Sequence, residues 1–125
     1  MTKAAAIYQF WSGFGLNAYE ETAVPTGEDA PEFPYITYSL VTDSFGGEVA
    51  MSASLWYRST SWTDINAKTE EISTAIGMGG KILPIDGGAI WLKRGQPFAQ
   101  NMSDPSDEMI RRKYLNITAE FITQN

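Results

Sequence analysis

Few side chains in this sequence could carry out covalent or metal chemistry. It contains no cysteine and no histidine, which removes thiol nucleophiles, thiolate metal sites and imidazole general bases. Adjacent acids occur at Glu20–Glu21 and Glu70–Glu71, but neighbouring side chains usually point apart, whereas paired-carboxylate catalysis needs a controlled separation. We therefore expect no catalytic residue, no cofactor and no enzymatic activity.

Two other segments resemble ligand sites and are better explained as turns. Residues 77–81 read Gly-Met-Gly-Gly-Lys, like a phosphate-binding loop, but Ile82 replaces the required Ser or Thr and the segment follows a predicted helix. A helix cap and connector account for it. Asp104, Asp107 and Glu108 could approach a hard cation, yet Asp, Pro and Ser at these positions are typical of turns. We expect no metal site.

Composition predicts one globular domain over residues 1–125, because a chain of this length can bury one sizeable core. No apolar run is long enough to span a membrane, and we expect neither export nor membrane association. The net charge is −6, and residues 1–57 hold seven acids against Lys3 alone. A chain with this charge is a poor candidate for binding the phosphates of nucleic acids.

Hydrophobic spacing predicts two helices. Apolar residues recur at helical intervals over residues 3–13, and glycines then stop the pattern. A second amphipathic stretch begins with Ser61 as a potential N-cap and ends at Gly77, where glycine suits the position after a helix.

Alternating apolar and polar residues predict strands joined by tight turns. Residues 35–42 and 48–58 form one predicted antiparallel hairpin, and residues 81–85 and 89–93 form a second around Asp86-Gly87-Gly88. A long last strand covers residues 109–123, with shorter strands predicted at residues 19–24 and 97–102. The predicted fold class is α+β, a mainly antiparallel β-sheet with two α-helices packed on one face.

Candidate interaction residues fall into two groups. A proline-containing acidic loop could face a lumen or a partner, and its acids are Glu20, Glu21, Glu28, Asp29 and Glu32. Aromatic and basic side chains typical of protein interfaces form the second group: Trp56, Arg58, Trp62, Arg111 and Lys113. Arg111 and Lys113 share one face of the last strand and could pair with the acidic half of a neighbouring copy.

Three segments resemble tail terminator and minor tail proteins of long-tailed phages and prophages of Gram-positive bacteria. They are Pro34-Tyr35-Ile36-Thr37-Tyr38, the run from Ile90 to Gln100 (IWLKRGQPFAQ), and the run from Arg111 to Phe121 (RRKYLNITAEF). The resemblance covers about residues 33–123. It identifies no individual contact residue.

This resemblance implies a subunit of the virion tail, assembled in the host cytoplasm. It implies a homo-oligomeric ring, expected to be a hexamer, that ends the tail tube at its head-proximal side. The implied partners are other copies of the chain, the tail tube protein and a head completion or connector protein. Another head-tail joining or tube role remains an alternative, as does a small ligand-binding or enzymatic domain with the acidic loop as a lid.

Overall fold

The chain folds as a curled six-stranded β-sheet with two α-helices, and the computed structural model describes residues 1–124. None of the helices in that range is long and apolar enough to cross a membrane. The elements are α1 (Lys3–Ser12), β1 (Asn17–Glu20), β2 (Tyr35–Tyr38), β3 (Glu48–Arg58), α2 (Thr63–Ile76), β4 (Lys81–Ile85), β5 (Gly88–Met102) and β6 (Ile110–Thr123), with one turn of 3-10 helix at Gly27–Asp29.

The sheet has the order β1-β2-β3-β6-β5-β4. Four of its pairings are antiparallel, including the β2–β3 and β4–β5 hairpins, which confirms the mainly antiparallel prediction. The exception is the parallel pair of β1 and β2. Parallel neighbours cannot be joined by a tight turn, so the acidic proline-containing segment 21–34 serves as their crossover connection.

The predicted strands 89–93 and 97–102 are parts of one strand. β5 runs continuously to Met102, with a register irregularity against β6 between Arg94 and Ala99. Pro97 lies inside this irregularity, where its missing N–H interrupts no regular ladder bond. Gly95 packs tightly there, since a Cβ would come within 2.9 Å of the Cβ of Asn116. The prediction of two separate strands was wrong because proline and glycine mark a bulge here.

Strand boundaries also differ at the first half of the sheet. β2 ends at Tyr38, not Thr42, and residues 40–47 are exposed. The weakly predicted strand at residues 19–24 is displaced to β1 at residues 17–20. The apolar residues after Tyr38 therefore belong to a loop, although their sequence continues the strand pattern.

The helix ends follow local hydrogen bonding. Thr2 caps α1, since its hydroxyl oxygen accepts a hydrogen bond from the Ala5 N–H at 3.1 Å. For α2 the N-cap position is Trp62 and not Ser61, but the Ser61 hydroxyl oxygen still accepts from the Thr63 N–H at 3.1 Å. Gly77 ends α2 as predicted, with a positive φ of 76°.

The core lies between the sheet and the helices. Alternate residues of β6 are buried, as its sequence pattern predicts: Leu115, Ile117, Ala119 and Phe121. They join Ile7 and Trp11 of α1 and Ile65, Ile72 and Ile76 of α2 in one cluster. The period-2 and helical apolar patterns therefore converge on a single hydrophobic core.

Helix α1 packs against both β1 and β4, which are the two edge strands of the sheet. The curl of the sheet thus brings both edges to the same helix. A hydrogen bond from Lys68 Nζ to the Phe14 carbonyl oxygen, 2.7 Å long, ties α2 to the chain just after α1. The edges, which would otherwise invite strand addition, are both in contact with α1.

Candidate interaction surface

Three of the predicted interface residues lie together. The Trp62 ring, just before α2, is approached by Arg111 at 5.6 Å and by Lys113 at 5.5 Å, measured to the ring centroid. Because Arg111 and Lys113 are two residues apart on β6, their side chains lie on the same face of the sheet. We call Trp62, Arg111 and Lys113 the basic patch.

The cations of the basic patch are held by neutral oxygens. Arg111 donates from Nη1 to the Glu108 carbonyl oxygen at 2.7 Å, and its buried Nε has no hydrogen-bond partner among the described residues. Lys113 donates to Asn101 Oδ1 at 2.6 Å. Neither forms an ion pair within residues 1–124. Burial lowers the pKa of Lys113 below its usual value, with the Glu70 carboxylate acting in the opposite direction.

The other two predicted interface residues lie elsewhere. Trp56 pairs across the ladder with Arg112, and because side chains alternate along β6, it faces the side of the sheet opposite the basic patch. Arg58 forms an ion pair with Asp107 at 2.9 Å. Trp56 and Arg58, which share a face of β3 by their spacing, therefore lie apart from the basic patch.

Trp56 belongs to a row of stacked side chains across four strands. Its ring stacks on Tyr35 with centroids 6.0 Å apart and an interplanar angle of 12°, and Tyr35 meets Tyr19 edge to face. On the other side, the Arg112 guanidinium lies 4.7 Å from the Trp56 ring centroid, and the Tyr114 ring is next. This row has no signature in the sequence, because it depends on cross-strand register, which alternation within one strand does not reveal.

Two polar groups of this row form hydrogen bonds to neighbouring side chains. Trp56 Nε1 donates to Thr37 Oγ1 at 2.9 Å, and Arg112 Nε donates to Ser54 Oγ at 3.1 Å. Desolvation by burial raises the pKa of Tyr35, with the Asp104 carboxylate as a smaller cause. The row therefore stabilises the sheet as cross-strand pairs.

The acidic residues of the predicted loop are mostly exposed and carry no counter-ion. Glu28 and Asp29 lie on the 3-10 turn, and neither they nor Glu21 and Glu32 form an ion pair within the described part of the chain. Glu20 differs, since it belongs to β1. We call residues 20–32 the acidic segment.

Glu20 is engaged locally. Its carboxylate accepts hydrogen bonds from the backbone N–H of Thr22, at 2.9 Å, and from the Thr22 hydroxyl. This bonding fixes the turn after β1 and leaves the four later acids of the acidic segment as its unpaired charges.

Asp107 and Asp104 serve local turns. The backbone N–H of Met109 and the Arg58 side chain both donate to Asp107, and they lower its pKa in that order of importance. Asp104 accepts from the N–H and hydroxyl of Ser106, which lowers its pKa too. Within residues 1–124, no three acidic side chains are grouped to hold a metal ion.

The glycine-rich segment 77–81 is built as a connector. The indole N–H of Trp91 donates to the Gly79 carbonyl oxygen at 2.8 Å, and a Cβ on Gly80 would lie 2.4 Å from Trp91 Nε1. Glycine at position 80 therefore allows the close approach of an indole. This explains the glycines by packing and by chain reversal.

A cleft lies along the seam between α1 and β4. It has a volume of about 650 Å³ and an apolar lining that includes Phe10, Phe14, Leu83 and Ile85. Lys81 and Asp86 stand among its polar lining residues. We call this cleft the α1–β4 seam. The seam has no local signature in the sequence, because it forms between elements that are about 70 residues apart.

Comparison of the chain with protein-family models and with curated proteins finds no match. Function is therefore inferred from the surfaces of this chain. Two kinds of surface bear on this inference. One carries charged side chains that form no ion pair among the described residues, and the other carries exposed apolar side chains.

Proposed function

We propose that this chain is a structural subunit that assembles with copies of itself into a ring. One observation carries the proposal: the chain bears unpaired charges of opposite sign on separate surfaces. The acidic segment adjoins β1, whereas the basic patch lies on β6, and β2 and β3 stand between those strands. Surfaces that are complementary but distinct join unlike faces of successive copies, and such a contact gives a ring when the rotation closes.

The ring is proposed to be a tail terminator at the head-proximal end of a phage tail tube, where it stops tube growth and presents a surface to the head connector. The sequence resemblance over residues 33–123 supports this role. The contact of α1 with both edge strands, together with Pro84 within β4, supports it further. A subunit with blunted edges does not recruit further copies by strand addition, as a cap requires.

We also infer that both helices cover the same face of the sheet. The strands bury one set of alternate side chains, and the opposite set on β6 is only partly buried: Tyr114, Asn116, Thr118 and Glu120. Helix α2 packs against β3, β5 and β6, and its apolar residues join the same core cluster as those of α1. This arrangement would leave the aromatic row of Trp56 on the outer surface.

The charge of the chain fits a channel that DNA must pass. A net charge of −6 and an unpaired acidic segment would repel phosphates and let DNA move through a lumen without being retained. In a head-to-tail ring, part of the acidic segment would contact the neighbouring basic patch and part would line the opening.

Two alternatives have support of their own. A head-tail stopper or a tube subunit would use the same ring-forming surfaces, and only its position in the virion would differ. A ligand-binding domain is favoured by the volume and apolar lining of the α1–β4 seam, which fall in the range of small-molecule sites. Saturable binding of a small apolar compound to a stable monomer would favour that second alternative.

The proposal is tested by native mass spectrometry and negative-stain electron microscopy of the purified chain over rising concentration, with and without magnesium. Closed rings of one subunit number are expected. A monomer that persists at every concentration, also in the presence of a tail tube preparation, would contradict the ring.

A charge-reversed variant tests whether the basic patch contacts a neighbouring copy. Arg111→Glu with Lys113→Glu should weaken association at low salt by at least tenfold while the circular dichroism spectrum is unchanged, because the contact is electrostatic. Lys93→Glu with Arg94→Glu makes the same charge change on β5 and controls for net charge; because it also removes the Lys93–Glu48 ion pair and the Arg94–Ser73 hydrogen bond, its circular dichroism spectrum is compared as well. Equal loss in both variants, or no loss in either, would show that the basic patch is not the contact.

A further inference from the structure

The loop that joins β2 to β3, residues 39–47, exposes several large apolar side chains. The Phe45 side chain is 74% exposed, and Leu40 and Val41 are exposed as well. These residues extend the apolar sequence of β2 but leave the sheet. An exposed aromatic side chain at a loop tip contributes nothing to the core, and such a side chain is a frequent anchor of protein interfaces.

The α1–β4 seam is the apolar counterpart of this loop. Its lining includes Phe10 from α1, Phe14 just after that helix, and Ile82 and Leu83 from β4, and Ile82 is itself exposed. A cleft of about 650 Å³ has room for a phenylalanine ring and an accompanying aliphatic side chain. Burying a ring there would remove apolar surface from water on both partners.

The charged groups of the two surfaces that lack an ion pair have opposite signs, since Asp86 of the seam is already paired with the Met1 amino group. Asp43 lies in the loop two residues before Phe45, and Lys81 lines the seam. Both are exposed, and neither forms an ion pair within residues 1–124. A copy of this chain therefore offers the seam both apolar side chains and a carboxylate that matches its lysine.

The loop joins β2 to β3 and the seam borders β4, and β6 and β5 lie between β3 and β4 in the sheet. The curl of the sheet nevertheless brings one end of the loop near the seam, since Thr42 lines a small pocket together with Met1 and Asp86, which also line the seam. Phe45 of the loop and Ile82 of the seam are both exposed. Both surfaces are therefore open to a second copy of the chain.

From these observations we infer that the β2–β3 loop of one copy inserts Phe45 into the α1–β4 seam of the next copy, with Asp43 beside Lys81. The inference rests on the proposed self-assembly and names a contact between subunits. This contact is independent of the basic patch, since it uses other residues.

Truncation of the Phe45 side chain is the first test. Phe45→Ser should raise the concentration at which half of the chain is assembled by at least tenfold, measured by native mass spectrometry. Met78→Ser is the matched control, because Met78 is 98% exposed and belongs to neither the loop nor the seam. Equal assembly of wild type and Phe45→Ser would overturn the inference.

Disulfide trapping identifies the two sides of the contact. The sequence contains no cysteine, so a Phe45→Cys variant and an Ile82→Cys variant each carry a single thiol. Mixing them under mild oxidation should give a disulfide-linked heterodimer, resolved by mass when one variant is isotopically labelled. Phe45→Cys mixed with Met78→Cys is the control, and equal yields in the two mixtures would overturn the inference.

A charge exchange separates this contact from the ring itself. Asp43→Lys and Lys81→Asp should each weaken assembly, and the double variant should recover it, since the pair is restored between copies. Rings that are insensitive to all of these changes would leave the proposed ring standing and overturn the inserted loop. Trapped heterodimers without any closed ring would uphold the contact and overturn the ring. Displacement of assembly by a small apolar compound in the seam, without trapping, would assign the seam to a ligand and overturn the inference.

Discussion

Replacing Trp11 by alanine tests whether α1 is part of the core that closes the curled sheet. Trp11 is 1% exposed and lies edge to face with Phe10, with ring centroids 4.9 Å apart. A tryptophan buries about 150–250 Å². At ~25 cal/mol per Å², and allowing for the methyl group that alanine retains, the expected loss in the free energy of unfolding is about 4 kcal/mol, within the range seen for large-to-small core substitutions.

This loss can be converted into a melting shift. An unfolding entropy of ~2.1 cal/mol/K per residue gives ~0.26 kcal/mol/K for this chain, so the midpoint should fall by about 15 °C. Urea unfolding followed by circular dichroism measures the free energy, and Trp11→Phe, which keeps an aromatic ring, should lose less than half as much. A loss below about 1 kcal/mol for Trp11→Ala would refute the placement of α1 in the core.

Three further outcomes are expected. Gly88→Ala should destabilise the β5–β6 pairing by more than about 2 kcal/mol in urea unfolding, because a Cβ would lie 1.9 Å from the Ile122 carbonyl oxygen, and a neutral result would contradict that contact. Asp107→Asn should be less stable than wild type at neutral pH. The pKa of Asp107 is lowered on folding by the hydrogen bonds that it accepts from Met109 and Arg58. Wild type should therefore lose its extra stability over the variant as the pH falls below about 3.8. A difference in the free energy of unfolding that does not change with pH would contradict this expectation. Amide exchange in residues 20–32 should slow on assembly, and equal protection in free and assembled chain would argue against a contact there.

The secondary structure was largely predictable because local signals agreed with the final packing. The turn at Asp86-Gly87-Gly88 and the alternation of β6 both appear in the fold as the sequence indicated. The errors occurred where tertiary contacts decide. β2 stops at Tyr38 although Leu40 continues its pattern, and β5 passes through Pro97 because a bulge accommodates it. Neither outcome is fixed by the residues within one window.

The interaction surface was predictable only in part. The proximity of Arg111 and Lys113 follows from their spacing, and the structure adds Trp62 to them. The separation of Trp56 from Trp62 does not follow from sequence. It depends on the face of the sheet on which α2 begins. Long-range contacts, such as the α1–β4 seam, have no local signature.

The position of α1 between the first and fourth strands has a consequence for synthesis on the ribosome. The helix is made first, but β4, at residues 81–85, appears only after two-thirds of the chain, and β3 must wait longer for β6. Residue pairs such as Val49 and Ala119 lie far apart in sequence, so the fold has a high contact order and should form slowly. The nascent N-terminal half therefore exposes apolar surface until translation nears its end, when β6 becomes available to pair with β3.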